Sequence, residues 1–188
     1  MKLQDCHIFK TKTFSFGVIL LLIFTLGSCK SHKKVEKDNQ IYVGETVEVK
    51  NDKKESVKKE NKLREEICKE AETWLGTPYM YGRQDKGVAT DCSGLVYVVY
   101  QEIANIKLPR NSAKQADFCE SIKEDAIQAG DLVFFATGKD KNKISHVGVM
   151  IDKKKFLHAS SSKGVVISDI TTPYYQRTFI KFGKVPGL

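Results

Sequence analysis

The apolar positions divide the chain into stretches of different character. The first is a run from Phe14 to Leu26, interrupted only by Ser15, Gly17 and Thr25. From residue 30 to about 62 the chain is dominated by Lys, Glu, Asp, Asn and Ser, with one apolar island at Ile41-Tyr42-Val43 and Val47 to Val49. Low hydrophobicity with mixed charge predicts a flexible tether over residues 29–62; the alternation of Val47 and Val49 leaves open a stray strand. Next, Leu63, Ile67, Cys68, Ala71, Trp74 and Leu75 recur at three and four residues. That stripe predicts a helix over 62–75, stopped by Gly76 and Pro78. A second helix, apolar nearly all round and therefore buried, runs through Leu95, Val96, Val98, Val99, Tyr100, Ile103 and Ala104. Asn111-Ser112 is placed to cap a short third helix reaching Phe118. After Gly130 the pattern changes to short strands at 132–135, 147–151, 155–158, 165–167 and 179–182, separated by turn residues. Helices that precede an antiparallel sheet define an α+β domain over residues 63–188.

Lys2, Lys10 and Lys12 precede the Phe14–Leu26 run, which is too short to cross about 30 Å of hydrocarbon comfortably but suits the core of a signal peptide. Leu26-Gly27-Ser28-Cys29 follows directly and resembles the bacterial lipobox, in which the bond before the cysteine is cut and the cysteine is acylated. The small residues Gly27 and Ser28 fit a narrow peptidase groove. The expectation is a signal peptide over 1–28 and a membrane anchor on Cys29, where more than one acyl chain makes attachment stable. A buried Cys in an ordinary apolar segment, or a short membrane anchor, is the plainer alternative. Lys30, where an aspartate would favour inner-membrane retention, points to the periplasmic face of the outer membrane if the cell is Gram-negative.

The net charge of +8 raises nucleic-acid binding as a possibility. The lysines are spread along the chain and accompany no arginine-rich helix or aromatic nucleic-acid motif, so the excess reads as attraction to anionic envelope polymers or lipid headgroups. A domain of this length closes one hydrophobic core without disulfides.

Of five cysteines, Cys6 lies in the signal segment and Cys29 is the acylation site. Cys68 sits on the apolar stripe of the first helix and Cys119 follows the third; separate structural thiols are expected there rather than a disulfide. No pair has metal-ligand spacing, so no metal site is expected. Cys92 opens the buried helix after a glycine-containing loop, where unpaired N–H groups and the helix dipole favour a thiolate. Ser93 and Gly94 are small enough to let a substrate carbonyl approach. A small hydrophobe at a helix start is the plain alternative. A cysteine nucleophile needs a base and a group to orient it. In the domain only His146 and His158 remain, on successive strands. They share a face if the loop at Asp152–Lys155 holds an odd number of residues, or a bulge; otherwise they are unrelated strand-end histidines.

In order along the chain, Gly76-Thr77-Pro78-Tyr79, Asp91-Cys92-Ser93-Gly94, Leu108-Pro109-Arg110, Gly130-Asp131-Leu132-Val133-Phe134-Phe135, Ser145-His146-Val147-Gly148 and Leu157-His158-Ala159 resemble the successive blocks of the NlpC family of bacterial cell-wall cysteine peptidases. The resemblance implies a papain-like α+β fold, with a helix bundle carrying the cysteine against a sheet carrying the histidines. It implies Cys92 as nucleophile, His146 as general base and acid, and His158 as the polar third member. Tyr79 matches the tyrosine whose hydroxyl supports the oxyanion beside the Cys92 N–H. Asp91 and Ser93 match positions that hold the amino end of free stem peptides in some members. Arg110 would pair with a substrate carboxylate or serve the structure. Gly82-Arg83-Gln84 departs from the pattern, since many members carry a second glycine there.

The implied activity is hydrolysis of peptidoglycan stem peptides, at the γ-D-glutamyl bond to a diamino acid, by a monomer that needs no cofactor, binds no nucleic acid and is held in the cell envelope by its lipid. Two other classes stay open: an amidase or acyltransferase on the same fold, and a non-catalytic wall-binding lipoprotein.

Overall fold

The structure, a computed structural model, describes residues 44–188. The signal segment, Cys29 and the first part of the tether lie outside these residues. Among the described residues no helix is long and apolar enough to cross a membrane.

Helix α1 spans Gly44–Glu72. It starts well before the expected Lys62 and takes in most of the stretch read as tether, including the Val47–Val49 island read as a possible strand. The residues that depress hydropathy here, Lys and Glu, are also strong helix formers. Ion pairs at i,i+4 support the outer surface of the helix, as in Lys62–Glu66 and Lys69–Glu65. Its C-terminal half is held by burial: Ile67 and Ala71, and Trp74 in the turn that follows, are fully enclosed. Arg64 reaches Asp131 at 2.8 Å, and both are buried. Removing one partner of such a pair costs about 3–5 kcal/mol.

Strands β1 (Gln84–Asp85) and β2 (Ala89–Thr90) form a small hairpin before helix α2 (Cys92–Ala104). The α2 start is set by Asp91, whose side chain accepts from the Gly94 N–H, and its end by Asn105 in the left-handed region at φ 54°. Helix α3 (Ser112–Phe118) begins at Asn111, whose side chain accepts from the Ala113 and Lys114 N–H groups. The sheet follows: β3 (Glu120–Ile122), β4 (Leu132–Phe135), β5 (His146–Met150), β6 (Lys155–Ser160), β7 (Gly164–Asp169), then helix α4 (Pro173–Thr178) and β8 (Phe179–Lys184). All neighbours in the order β3-β8-β4-β5-β6-β7 are antiparallel.

The strand alternation splits the sheet into two apolar faces. Leu132, Phe134, Val147, Val149, Leu157 and Ala159 join α1 and α2 in one core. Val133, Phe135, Met150, Phe156 and Phe182 form a second cluster on the other face, against which Tyr175 and Phe179 pack.

Candidate active site

Pairing of Val149 with Leu157 and Met150 with Phe156 sets the β5–β6 register. The Ile151 N–H donates to the Lys155 carbonyl, leaving Asp152, Lys153 and Lys154 as a three-residue loop. The loop is therefore odd. Carried back along the strands, the register sets Gly148 opposite His158, and His146 two residues on, on the same face. His146 Nε2 and His158 Nδ1 are 2.9 Å apart, with the rings edge to face. Gly148 makes this possible: a Cβ there would lie 2.6 Å from Phe156 Cδ2, 3.0 Å from the Leu157 carbonyl and 3.3 Å from His158 Cβ.

Cys92 comes from the other side of the cleft, at the N-terminus of α2. The N–H groups of Val147, Ser93 and Cys92 itself face its sulfur. These favour the thiolate, as expected from the sequence, but burial outweighs them and Asp91 adds to it, so the thiol is pushed up to about 11. Burial pushes His146 down to about 4. Burial, helped by His146, pushes His158 down to about 3. The three groups therefore rest neutral across the physiological range. Because His146 Nε2 is taken by His158, its Nδ1 is the nitrogen left for a thiol proton.

Two lobes of about 420 and 460 Å³ meet at this point, both lined by Tyr79, Cys92 and Ser145. The first also holds Tyr81, Asp91, Ser93, Arg110, Lys139 and Lys143. The second holds His146, His158, the Ser160–Ser162 loop and Tyr175. Tyr79 is half-buried at the junction; burial and the nearby Cys92 raise its hydroxyl pKa, so it stays protonated and able to donate.

Asp91, Ser93 and Arg110 are brought together, but with each other as partners. Arg110 Nη1 and Nη2 lie 2.6 and 3.0 Å from the two Asp91 oxygens, and Nη1 is 2.8 Å from Ser93 Oγ. Asp91 Oδ1 also accepts from the Gly94 N–H and Ser93 Oγ, and Oδ2 from the Gly82 N–H. Burial works to raise the Asp91 carboxyl, but the Arg110 hydrogen bonds and these N–H groups outweigh it and hold it below the usual range. With its lone pairs filled and its charge matched, Asp91 has no free oxygen for a substrate ammonium. The Arg110 guanidinium is likewise occupied, by Asp91, Gln84 and the Arg83 carbonyl, so of its two expected roles the geometry carries the structural one. Gly94 faces Arg110 and the Arg83 carbonyl rather than the substrate side, so its smallness serves the ion pair.

Ser168 and Tyr175, which contact His158, were not among the expected site residues. The Thr172-Pro173 start of α4 is a helix signal that placed Tyr175 within reach; Ser168 emerges only from the register that sets it opposite Phe156.

The sequence profile of the NlpC/P60 family matches residues 76–184, more than half of the chain. The chain belongs to the NlpC/P60 family. Within it, the chain is 41% identical over 108 residues to a "Probable endopeptidase NlpC" of Escherichia coli K12, covering 57% of this chain and 69% of that one. It is 36% identical over 107 residues to the E. coli K12 "Murein DD-endopeptidase MepS/Murein LD-carboxypeptidase", covering 56% and 54%. A "Gamma-DL-glutamyl hydrolase" of Bacillus subtilis is 36% identical over 110 residues, covering 58% of this chain and 26% of that protein. A solved NLP/P60-family structure from Staphylococcus aureus, titled similar to lipoprotein, superposes with a TM-score of 0.60 at 32% identity, covering 66% and 42%. The chain thus spans about half or less of several of these proteins. The NlpC/P60 neighbours share its papain-like α+β architecture.

Proposed function

We propose that this NlpC/P60 protein is a thiol peptidase of the bacterial cell wall that cleaves peptidoglycan stem peptides at the γ-D-glutamyl bond to a diamino acid. The observation that carries the reading is the 2.9 Å His146–His158 bond in a cavity also lined by Cys92. A lobe on either side of Cys92 gives room for chain on both sides of a scissile amide. The relatives named as endopeptidases and glutamyl hydrolase support the substrate class.

In this mechanism Cys92 Sγ attacks the amide carbonyl while its proton passes to His146 Nδ1, so that the neutral thiol is activated as the bond forms. The Cys92 N–H and the Tyr79 hydroxyl donate to the developing oxyanion. His146, now protonated and held by His158, gives the proton to the departing amine. Water activated by the same imidazole then releases the acid from the thioester. Asp91 and Arg110 act as the clamp that holds the α2 start, and Ser93 as part of it. A relative named for murein and a solved structure titled similar to lipoprotein fit an anchor on Cys29, with residues 1–28 removed and the chain acting as a monomer.

The test is mass spectrometry of muropeptides incubated with the full chain. The expected products are one fragment ending in D-glutamate and one beginning with the diamino acid, with one water added across the bond. Cleavage confined to D,D-peptide bonds, the type in the name of the MepS relative, would move the specificity. Products that gain an amine instead of water would make it an acyltransferase.

A further inference from the structure

We propose that Ser168 and Tyr175 are positioning residues that fix His158 as its Nε2–H tautomer, so that its Nδ1 accepts from His146 and the His146 Nδ1 lone pair stays free for the Cys92 thiol. The inference rests on the catalytic reading of Cys92 and His146 and extends it by two residues supplied by other elements.

His158 Nε2 lies 3.0 Å from Ser168 Oγ and 3.0 Å from the Tyr175 hydroxyl, which are themselves 3.4 Å apart. The His158 ring is buried, stacked on Phe156 at 4.8 Å and set edge-on to the Tyr175 ring. Tyr175 is fixed in turn by edge-on packing against Phe156. Among the described residues, the hydrogen-bond partners of His158 are His146, Ser168 and Tyr175, with no carboxylate.

A carboxylate in this place would set the tautomer outright, because an ionised carboxylate only accepts. A hydroxyl both donates and accepts, so the direction of its proton decides. The geometry offers Tyr175 an outlet for its proton at Ser168 Oγ, and Ser168, half-buried on the second lobe, can direct its own toward the cleft. Both oxygens then present lone pairs to Nε2–H. The reverse arrangement is unproductive. A hydroxyl that donated into Nε2 would put the His158 proton on Nδ1, aimed at His146 Nε2. The single proton of neutral His146 would then sit on Nδ1, facing the thiol, and the base would be lost.

The groups around the pair are few. His146 comes from β5 and Tyr175 from α4; Lys163 and Asp169 line the same lobe. The Asp169 carboxylate is taken by the Thr171 N–H at 2.8 Å and the Thr171 hydroxyl at 2.6 Å. Burial raises the Tyr175 hydroxyl, so it stays neutral beside a neutral His158.

The test uses the full chain labelled with ¹⁵N-histidine, as wild type and as Tyr175→Phe, Ser168→Ala and the double variant, with ring-nitrogen NMR beside kcat and KM. Wild-type His158 is expected as Nε2–H. Each single variant keeps one acceptor and most of its activity. The double variant shifts His158 toward Nδ1–H and loses about 10–100-fold in kcat with KM unchanged, the range known for removing the outer hydrogen-bond partner of a metal-bound histidine. Threonine for Ser168 in the Tyr175→Phe background restores an acceptor and the rate. A wild-type His158 in the Nδ1–H form overturns the proposal, whether or not the double variant folds. So does a double variant that loses rate with its tautomer unchanged, since the loss is then structural. The ring readout needs no substrate, so a wild type with no peptidase activity would remove the functional reading and leave the tautomer result standing.

Discussion

At Cys92 two opposing influences act on one sulfur. The helix start and three N–H groups favour the thiolate, while enclosure by protein favours the thiol and wins, leaving the group near 11. The base opposite is held neutral down to about 4. The consequence is a pH profile set by His146. The rate should be flat through neutral pH and fall only as pH drops through about 4; an acid limb near 6.5, the unperturbed histidine value, would contradict the burial argument. Stability has the same sign. The unfolded histidines take up protons from about 6.5 downward, while the folded ones stay neutral to about 4 and 3. Over that window the unfolded chain binds more protons, so Tm should fall with falling pH, and less steeply in His158→Asn. The grouping of Cys92, His146 and His158 in one cleft was legible in the sequence because few candidates remained once the signal and tether were set aside. The mutual capture of Asp91 by Arg110 was not legible, since it depends on a distance across the fold.

Among the elements, the second helix and the strands after Gly130 were readable because their burial follows a plain period. The β1–β2 hairpin, β3 and α4 are too short to show a period, and β1, β3 and α4 are also largely exposed. The helix over residues 44–62 was not legible because hydropathy, which predicts disorder there, is blind to the helix propensity of Lys and Glu. The element that matters most to the site is the β5–β6 pair, and its weak point is Gly148. Its conformation is ordinary; the need for glycine comes from Phe156, the Leu157 carbonyl and His158, which leave no room for a methyl. Gly148→Ala should destabilise the fold by about 1–3 kcal/mol in a denaturant melt, as overpacking does. It should also lower kcat by spreading the two imidazoles. Unchanged stability with unchanged activity would show that β6 gives way freely and that the close approach is not required.

At the scale of the whole molecule, one face of the sheet holds α1 and α2, and the other holds the aromatic cluster beneath α4. The cleft lies where these meet, at the first residue of β5, so the nucleophile and its base belong to different layers. If Cys29 is acylated, Cys29→Ser should leave the protein unlabelled by a fatty acid and shed from the membrane fraction; a variant that is still labelled and still sedimenting would remove the lipobox assignment. The central claim is that Cys92 breaks the peptide bond. It is tested most directly by the initial rate of stem-peptide cleavage, with wild type and Cys92→Ala compared at equal concentration and matched near-UV circular dichroism. The account predicts a folded Cys92→Ala protein with no cleavage above background; a folded Cys92→Ala protein that cleaves at the wild-type rate would contradict it.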